Sequence, residues 1–286
     1  MLNLQELHNK VLYPVVRIRT AKTGGSGTVI YSKPLKGKPE EYESFVLTCA
    51  HVIDDAIDIR KAWDTLLKRN IDKEFTNQVQ VEIFEYVYIS KVNSSNAYRA
   101  DIVAYDKVTD LAVLKLESPR PCPFVADIIP KDKIDTIKVF SDAYASGCSL
   151  GHEPICNQGQ ITYLTEKMDN RVYLMSNCSS IFGNSGGALF LASTGEQIGV
   201  TARITGIQLG FGLDIITWMG FSVSPQEIYK FFDEQELKFL YDPKDTYEEA
   251  LKRREKKQHD AMMAKEEAPT IASPMAHSEG GSNDSP

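Results

Sequence analysis

The sequence predicts an all-β protein, and three observations lead to that fold class. Between residues 12 and 222 the chain is a series of short runs rich in β-branched and aromatic residues, such as VVRIRT, DLAVLKL and QIGVTARI. Clusters of Gly, Asn, Asp or Pro separate many of these runs. The 286 residues, 42% of them hydrophobic, suffice for one large β domain or two lobes. Many short strands with turn signals favour a sandwich or barrels over a doubly wound sheet.

Charge and composition argue against several classes of protein. The net charge of −7 offers no strongly basic surface, so we expect no nucleic-acid partner. No run approaches the ~20 apolar residues of a spanning helix, so we expect no membrane partner. The N-terminus lacks the pattern of a signal peptide, so we expect a cytoplasmic protein, although secretion by another route remains open. The five cysteines have no C-x-x-C spacing, which argues against a disulfide framework or zinc site; we expect no metal and no cofactor.

Two segments depart from the strand pattern. Residues 54–75 carry apolar residues at helical spacing, which predicts a helical insertion. These apolar residues are Ile57, Ile59, Trp63, Leu66 and Leu67. Residues 117–123, ESPRPCP, contain three prolines and predict a connector between two β lobes. We expect the lobes to cover about residues 10–118 and 124–222.

The C-terminal region predicts helices followed by disorder. The stretch SPQEIYKFFDEQELKFL, residues 224–240, begins with Ser and Pro and predicts a C-terminal helix. Residues 245–267 alternate in charge and have few apolar residues, which is typical of a solvated or weakly formed helix. We therefore expect a domain over residues 1–228, a helical segment over 229–267 and a disordered tail over 268–286.

The stretch GNSGGALF, residues 183–190, contains the pattern G-x-S-x-G, so Ser185 is either a nucleophile or part of a tight turn. A serine hydroxyl needs a neighbouring base, and that base needs a third group to orient it. Among the histidines His51 stands out, because it ends the apolar run SFVLTCAH. The others lie in the N-terminal segment, in a loop or in the C-terminal region: His8, His152, His259 and His277.

The best candidate for the acid is Asp110, which directly precedes the apolar run LAVLKL. Its competitors, Asp101 and Asp106, lie in the more polar stretch before it. The order of the residues separates the types of hydrolase. No strand-borne histidine follows Ser185, as an α/β-hydrolase would need, and no aspartate precedes residue 54, as the subtilisin order would need. The order His51, Asp110, Ser185 is that of the chymotrypsin type.

With these motifs in order, the chain resembles the trypsin-like serine peptidases, and their HtrA-like (Deg) branch more than the digestive enzymes. GGSGTVI is similar to the glycine-rich strand of that branch, VLTCAHVI to its histidine motif, DLAVLKL to its aspartate motif and GNSGGALF to its serine motif. The resemblance covers roughly residues 10–230. It implies a double six-stranded β-barrel and a serine endopeptidase acting on a protein or peptide substrate.

The resemblance also implies roles for individual residues. His51 would move the proton, Asp110 would hold the imidazole, and Ser185 would form the acyl-enzyme. The oxyanion hole would be formed by Gly183, Asn184 and Ser185. Ser179 would lie at the base of the pocket for the P1 side chain, which suggests small or medium apolar P1 residues. The substrate would pair with the strand Ala202, Arg203, Ile204.

The chain departs from relatives in that family at several points. Asn184 stands where trypsin-like zymogens use an aspartate to capture a new N-terminus, so we expect no activation of that kind. We also expect no PDZ domain, because the residues after the last strand are mostly charged or disordered. Two alternative functions stay open: a binding module without catalysis, and an esterase that uses the same serine. The oligomeric state and the biological substrate stay open as well.

Overall fold

The computed structural model describes residues 2–65 and 68–267, and strands make up most of it. The first half contains eight strands: β1 Val15–Arg19, β2 Gly24–Leu35, β3 Lys38–Thr48, β4 Ile57–Asp64, β5 Arg69–Thr76, β6 Val79–Val87, β7 Lys91–Asp106 and β8 Leu111–Leu116. The second half contains six: β9 Asp142–Gly147, β10 Ile155–Met168, β11 Arg171–Ser176, β12 Ala188–Leu191, β13 Gln197–Leu209 and β14 Gly212–Val223.

Short helical turns and three α-helices complete the described part of the chain. The α-helices are α1 Leu4–Leu7, α2 Pro225–Glu234 and α3 Tyr247–Glu267. A π-helical turn, His8–Leu12, continues α1. The 3₁₀ turns are Ala50–Val52, Asp54–Ala56, Lys131–Thr136, Ser149–Gly151 and Lys238–Leu240. No helix in the described part of the chain is both long and apolar enough to cross a membrane.

Twelve of the strands form two closed barrels, which confirms the predicted double six-stranded fold. The first barrel has the order β1-β2-β3-β8-β7-β6 and closes through pairing of β1 with β6. The second has the order β10-β11-β14-β13-β12-β9 and closes through pairing of β9 with β10. Closure satisfies the backbone polar groups that an open sheet would expose at its edges. The apolar run of β8 is almost wholly buried, as a strand through the core requires.

The predicted helical insertion at residues 54–75 is wrong. After the short turn Asp54–Ala56, strands β4 and β5 form a separate two-stranded antiparallel sheet. The side chains explain the difference: Ile57 and Ile59 are also two positions apart, which is the period of a strand, and β-branched residues favour strands. The other apolar residues used for the helical pattern, Leu66 and Leu67, lie outside the described residues.

The C-terminal helices occur where the sequence predicts them. Ser224 caps α2, its hydroxyl accepting a hydrogen bond from the N–H of Glu227, and Pro225 follows at the first helical position. The charged helix α3 covers most of the segment predicted as a solvated helix. The expected disordered tail, residues 268–286, lies outside the described residues. The domain limits near residues 228 and 118–124 stay a prediction.

An aromatic cluster attaches the C-terminal region to the first barrel. Phe239 is fully buried, and its ring lies 4.9 Å from that of Phe45 and 5.3 Å from that of Tyr31. Tyr247, at the start of α3, lies 5.0 Å from Phe45. Such edge-to-face pairs add to the stabilisation that burial of the rings provides. The residues after the last strand therefore belong to the hydrophobic core that supports β2 and β3.

We predict that Phe239→Ala lowers the free energy of unfolding by about 3–5 kcal/mol, because it leaves a cavity against Phe45 and Tyr31. The matched control is Phe211→Ala, whose ring is fully exposed at the end of the β13–β14 hairpin. That control should change stability by less than about 0.5 kcal/mol. Urea denaturation followed by circular dichroism measures both. Equal effects of the two substitutions would contradict the described packing.

Candidate active site

His51 lies on the short turn Ala50–Val52, directly after strand β3. Its neighbours Ala50 and Val52 are buried in the core of the first barrel, which anchors the turn on both sides. The imidazole itself is about half exposed, with 48% of the side-chain surface accessible. The strand and turn therefore deliver a histidine with a fixed backbone to an open surface.

Asp110 meets His51 through both of its carboxylate oxygens. Oδ2 lies 2.7 Å from Nδ1 of the imidazole, and Oδ1 lies 3.0 Å from the same atom. Oδ1 also accepts a hydrogen bond of 2.9 Å from the backbone N–H of His51. The carboxylate is buried, and the residue has a left-handed backbone with φ of 57° at the entrance to β8. The hydrogen bonds to His51 offset the conformational free-energy cost of this uncommon backbone.

The geometry determines which nitrogen of His51 carries the proton. An ionised carboxylate only accepts hydrogen bonds, so Nδ1 must donate to Asp110. In the neutral imidazole Nε2 then has a free lone pair and is able to take a proton. A histidine held in this tautomer by a buried acid is suited to act as a general base.

The competing acids occupy other places. Asp101 is an exposed residue of β7, opposite Lys115 on β8. Asp106 holds the turn before Asp110: its carboxylate accepts from the N–H of Val108 at 2.9 Å and from the hydroxyl of Thr109 at 2.5 Å. Asp106 therefore shapes the turn that leads to Asp110, and it does not contact His51.

One cluster in the described part of the chain has donor atoms close enough to hold a metal ion: Cys49, His51 and Asp110, within 4.8 Å of one another. Binding by Cys49 would require its thiolate. Burial, and then the negative charge of Asp110, raises the pKa of the Cys49 thiol well above its ordinary value. The thiol instead donates to the carbonyl oxygen of Thr201 at 3.3 Å. The arrangement favours a neutral thiol beside a hydrogen-bonded Asp110–His51 pair.

Ser185 lies in the loop before β12 and reaches the first barrel through strand β2. Its carbonyl oxygen accepts a hydrogen bond of 2.8 Å from the N–H of Ser26. A Cβ atom built on Gly25 would lie 2.8 Å from that carbonyl oxygen and 2.8 Å from a methyl group of Val52. The serine loop and the residue after His51 therefore both approach the same face of Gly25. The side chain of Ser185 is half-buried.

Two backbone N–H groups beside Ser185 have no acceptor within the described part of the chain: those of Gly183 and of Ser185 itself. The Gly183 N–H belongs to the same peptide group as the carbonyl of Phe182. That carbonyl oxygen accepts a hydrogen bond of 2.7 Å from the N–H of Leu150, across the loop. In a trans peptide the N–H points opposite to the carbonyl, so the Gly183 N–H points away from Leu150. Such free donors are able to bind a developing oxyanion.

Asn184 differs from these two donors because its N–H already has an acceptor, and its expected place in the oxyanion hole stays a prediction. Its N–H donates to the carbonyl oxygen of Ile181 at 3.1 Å. Its side chain is buried, and its Oδ1 accepts a hydrogen bond from the hydroxyl of Ser149. Asn184 therefore shapes the turn from inside, a position that sequence alone could not distinguish from that of its neighbours.

The expected substrate strand lies at an open edge. Strand β13 pairs with β14 from Val200 to Leu209, but with β12 only as far as Val200. Thr201 then exchanges hydrogen bonds with Gly186 and Gly187 of the serine loop, each of 2.8 Å. Beyond it, the residues Ala202, Arg203 and Ile204 have no strand on their second edge within the described ranges. An unpaired edge is a template for an added strand.

The two serines of the segment expected to form the base of the P1 pocket differ in burial. Ser179 is exposed, and its carbonyl oxygen accepts from the side-chain amide of Asn157 at 2.9 Å. The buried hydroxyl of this segment belongs to Ser180, whose N–H donates to the carbonyl oxygen of Thr217 at 2.8 Å. Its Oγ has no partner in the described part of the chain. The sequence does not distinguish the burial of Ser180 from that of Ser179, because adjacent serines give the same local signal.

A family model described as a trypsin-like peptidase domain matches residues 25–200 of this chain. The chain belongs to the trypsin-like peptidase family. The double barrel of this trypsin-like peptidase domain is the fold that the resemblance implies.

Individual relatives agree with this assignment. Do-like 14 of Arabidopsis thaliana, named as a candidate protease, is 26% identical over 212 residues, which is 69% of this chain and 40% of the plant protein. The HtrA-type protease AlgW with tripeptide has a TM-score of 0.57 at 18% identity, covering 83% of this chain and 64% of that one. A serine endoprotease from Yersinia pestis has a TM-score of 0.53 at 20% identity, covering 82% and 66%. The two structures show a shared fold, and this peptidase chain spans less than half of the plant relative.

We predict that Gly183→Ala destabilises the protein more than Gly210→Ala does. Both glycines have positive φ, 94° and 60°, so alanine is strained by about 1–2 kcal/mol at either. Only at Gly183 would the new Cβ lie 2.6 Å from the backbone of Cys148 and Leu150, while Gly210 has open space. The crowding should add about 1–3 kcal/mol. Urea denaturation measures the difference, and equal losses would disprove the close approach.

Proposed function

We propose that this protein is a serine endopeptidase that cleaves peptide bonds through Ser185, His51 and Asp110 and an acyl-enzyme intermediate. The observation that carries the proposal is the Asp110–His51 pair, with 2.7 Å between Oδ2 and Nδ1. It lies on the first barrel, and the serine loop with its two free N–H groups meets that barrel at Gly25 and Ser26. The family assignment supports the same chemistry.

Each residue has a defined step. Nε2 of His51 takes the hydroxyl proton of Ser185 as Oγ attacks the carbonyl carbon of the substrate, and Asp110 stabilises the imidazolium. The N–H groups of Gly183 and Ser185 bind the oxyanion of the tetrahedral intermediate. The proton then passes to the leaving amine as the C–N bond breaks. A water molecule attacks the resulting ester, His51 takes its proton, and Ser185 recovers a proton as the C–O bond breaks.

The substrate would bind as an added strand along the open edge of β13, at Ala202, Arg203 and Ile204. Backbone pairing holds any extended peptide, so the P1 side chain sets the preference. We propose a small or medium apolar P1 residue, since the segment Cys178–Ser180 carries no acid that would attract Lys or Arg. Ser179 and Ser180 are the two candidates for the base of this pocket.

The two alternatives predict different chemistry. A binding module would keep the fold without needing a carboxylate buried against a histidine, an arrangement that carries a desolvation cost. An esterase would share the acyl-enzyme and differ in the leaving group, so it would cleave esters and leave peptides intact. Comparing ester and peptide substrates of the same acyl sequence separates the two enzymes.

We predict that Ser185→Ala and His51→Ala abolish labelling by a fluorophosphonate probe and lower casein cleavage by about 10⁴-fold or more. Asp110→Asn should lower kcat by about 10⁴-fold, because the amide favours the wrong tautomer of His51. Matched controls are Ser193→Ala and His259→Ala, which change exposed residues away from the loop. A folded wild-type protein that neither labels nor cleaves would refute the proposed function.

We further predict that a peptide library is cut mainly after small or medium apolar residues, by a factor of about 10 or more in kcat/KM over Lys or Arg. The physical reason is that a buried cationic P1 side chain without a partner loses its hydration. Mass spectrometry of the cleaved library identifies the P1 residue. A preference for Lys or Arg would show that the pocket contains an acid from another segment.

A further inference from the structure

Ser26 is a buried serine of strand β2 whose N–H and hydroxyl contact the loops around Ser185, while its carbonyl contacts strand β3. Its N–H donates to the carbonyl oxygen of Ser185 at 2.8 Å. Its carbonyl oxygen accepts from the hydroxyl of Thr48 at 2.7 Å. Its own hydroxyl lies 2.6 Å from the carbonyl oxygen of Gly183 and 2.7 Å from the N–H of Cys148. The side chain is fully buried, so water does not compete for these contacts.

The direction of the hydroxyl proton follows from these partners. The N–H of Cys148 is a donor, so Oγ of Ser26 must accept from it. A carbonyl oxygen only accepts, so the single hydroxyl hydrogen goes to Gly183. The Ser26 hydroxyl therefore accepts one hydrogen bond from the loop of Cys148 and donates one to the carbonyl of Gly183.

The peptide groups on both sides of Gly183 are held in this way. The carbonyl of Phe182, before it, is bound by the N–H of Leu150, and the carbonyl of Gly183, after it, is bound by Ser26. Gly183 has φ of 94°, and a glycine populates both signs of φ about equally. Without these anchors the turn would keep the hydrogen bond from the Asn184 N–H to Ile181, and the Gly183 N–H would turn more easily away from the substrate. The anchors, and not the glycine, select the orientation.

We propose that Ser26 is a positioning residue for the oxyanion hole: its hydroxyl holds the carbonyl of Gly183, and with it the backbone of Gly183, so that the Gly183 N–H stays directed at the substrate carbonyl. This inference rests on the proposed function, and it adds a residue that acts through Gly183 without touching the substrate. The oxyanion forms only in the transition state, so Ser26 should affect kcat and leave the binding of the ground-state peptide unchanged.

The test compares Ser26→Ala with Ser32→Ala. Ser32 lies on the same strand, and its hydroxyl likewise accepts from a backbone N–H, that of Cys122 at 2.9 Å, and contacts Ser44 at 2.8 Å. Both variants lose one internal hydroxyl, but only Ser26 faces the serine loop. For a peptide substrate, Ser26→Ala should lower kcat by about 10–100-fold with KM within about twofold, while Ser32→Ala changes neither.

A second measurement reports on the oxyanion itself. A peptide aldehyde of the substrate sequence forms a tetrahedral adduct with Ser185, and its inhibition constant should weaken in Ser26→Ala by the same factor as kcat/KM. Ser26→Cys, which keeps a weak S–H donor, should lie between wild type and Ser26→Ala and serves if the alanine variant does not fold. Unchanged kcat in folded Ser26 variants, or an equal loss in Ser32→Ala, would overturn the inference.

Failure of the proposed function gives a different result from failure of this inference. If the wild-type protein neither cleaves nor labels, the proposed function is refuted, whatever the variants do. Amide hydrogen exchange of residues 181–187 then still tests Ser26: exchange should be at least about 10-fold faster in Ser26→Ala than in Ser32→Ala, since the loop opens locally. Equal exchange in the two variants would refute the positioning role by itself.

Discussion

The hydrogen bonds between strand β2 and the serine loop are the contacts on which the site depends. Each barrel closes on itself, so neither one dictates where the other lies. The N–H and hydroxyl of Ser26 bind the carbonyls of Ser185 and Gly183, which brings a loop of the second barrel against the first. His51 and Asp110 come from that first barrel. A shift of about 1 Å at this contact would move the proposed nucleophile away from the proposed base, and effective catalysis does not tolerate such a shift.

Close backbone approach explains why the serine loop is rich in glycine. A Cβ on Gly186 would lie 2.1 Å from the carbonyl oxygen of Ser26, and one on Gly187 would lie 2.3 Å from that of Ser146. These two positions pack backbone against backbone, one at each barrel, and leave no room for a side chain. The loop is thus positioned by its main chain, while the proposed chemistry uses the side chain of Ser185.

The thiol of Cys49 lies beside the buried carboxylate of Asp110. Burying the carboxylate of Asp110 is unfavourable unless it is hydrogen-bonded, and His51 provides two donors, its backbone N–H and Nδ1. Cys49 lies next to them as a neutral thiol, because burial raises its pKa. A thiolate there would add a second negative charge and compete for the imidazole. Neutral Cys49 leaves the carboxylate as the single acid that orients His51.

The sequence by itself determined the class of fold and the residues of the candidate triad, because strand periodicity and short motifs are local signals. Periodicity was ambiguous at residues 54–75, where Ile57 and Ile59 fit two periods and only pairing of β4 with β5 decided for strands. Tertiary structure alone decided that Asn184 points inward and that Ser26 faces Gly183, 157 residues away. Such contacts have no local signature, because they arise only when closure of the two barrels brings distant backbone groups into hydrogen-bond range.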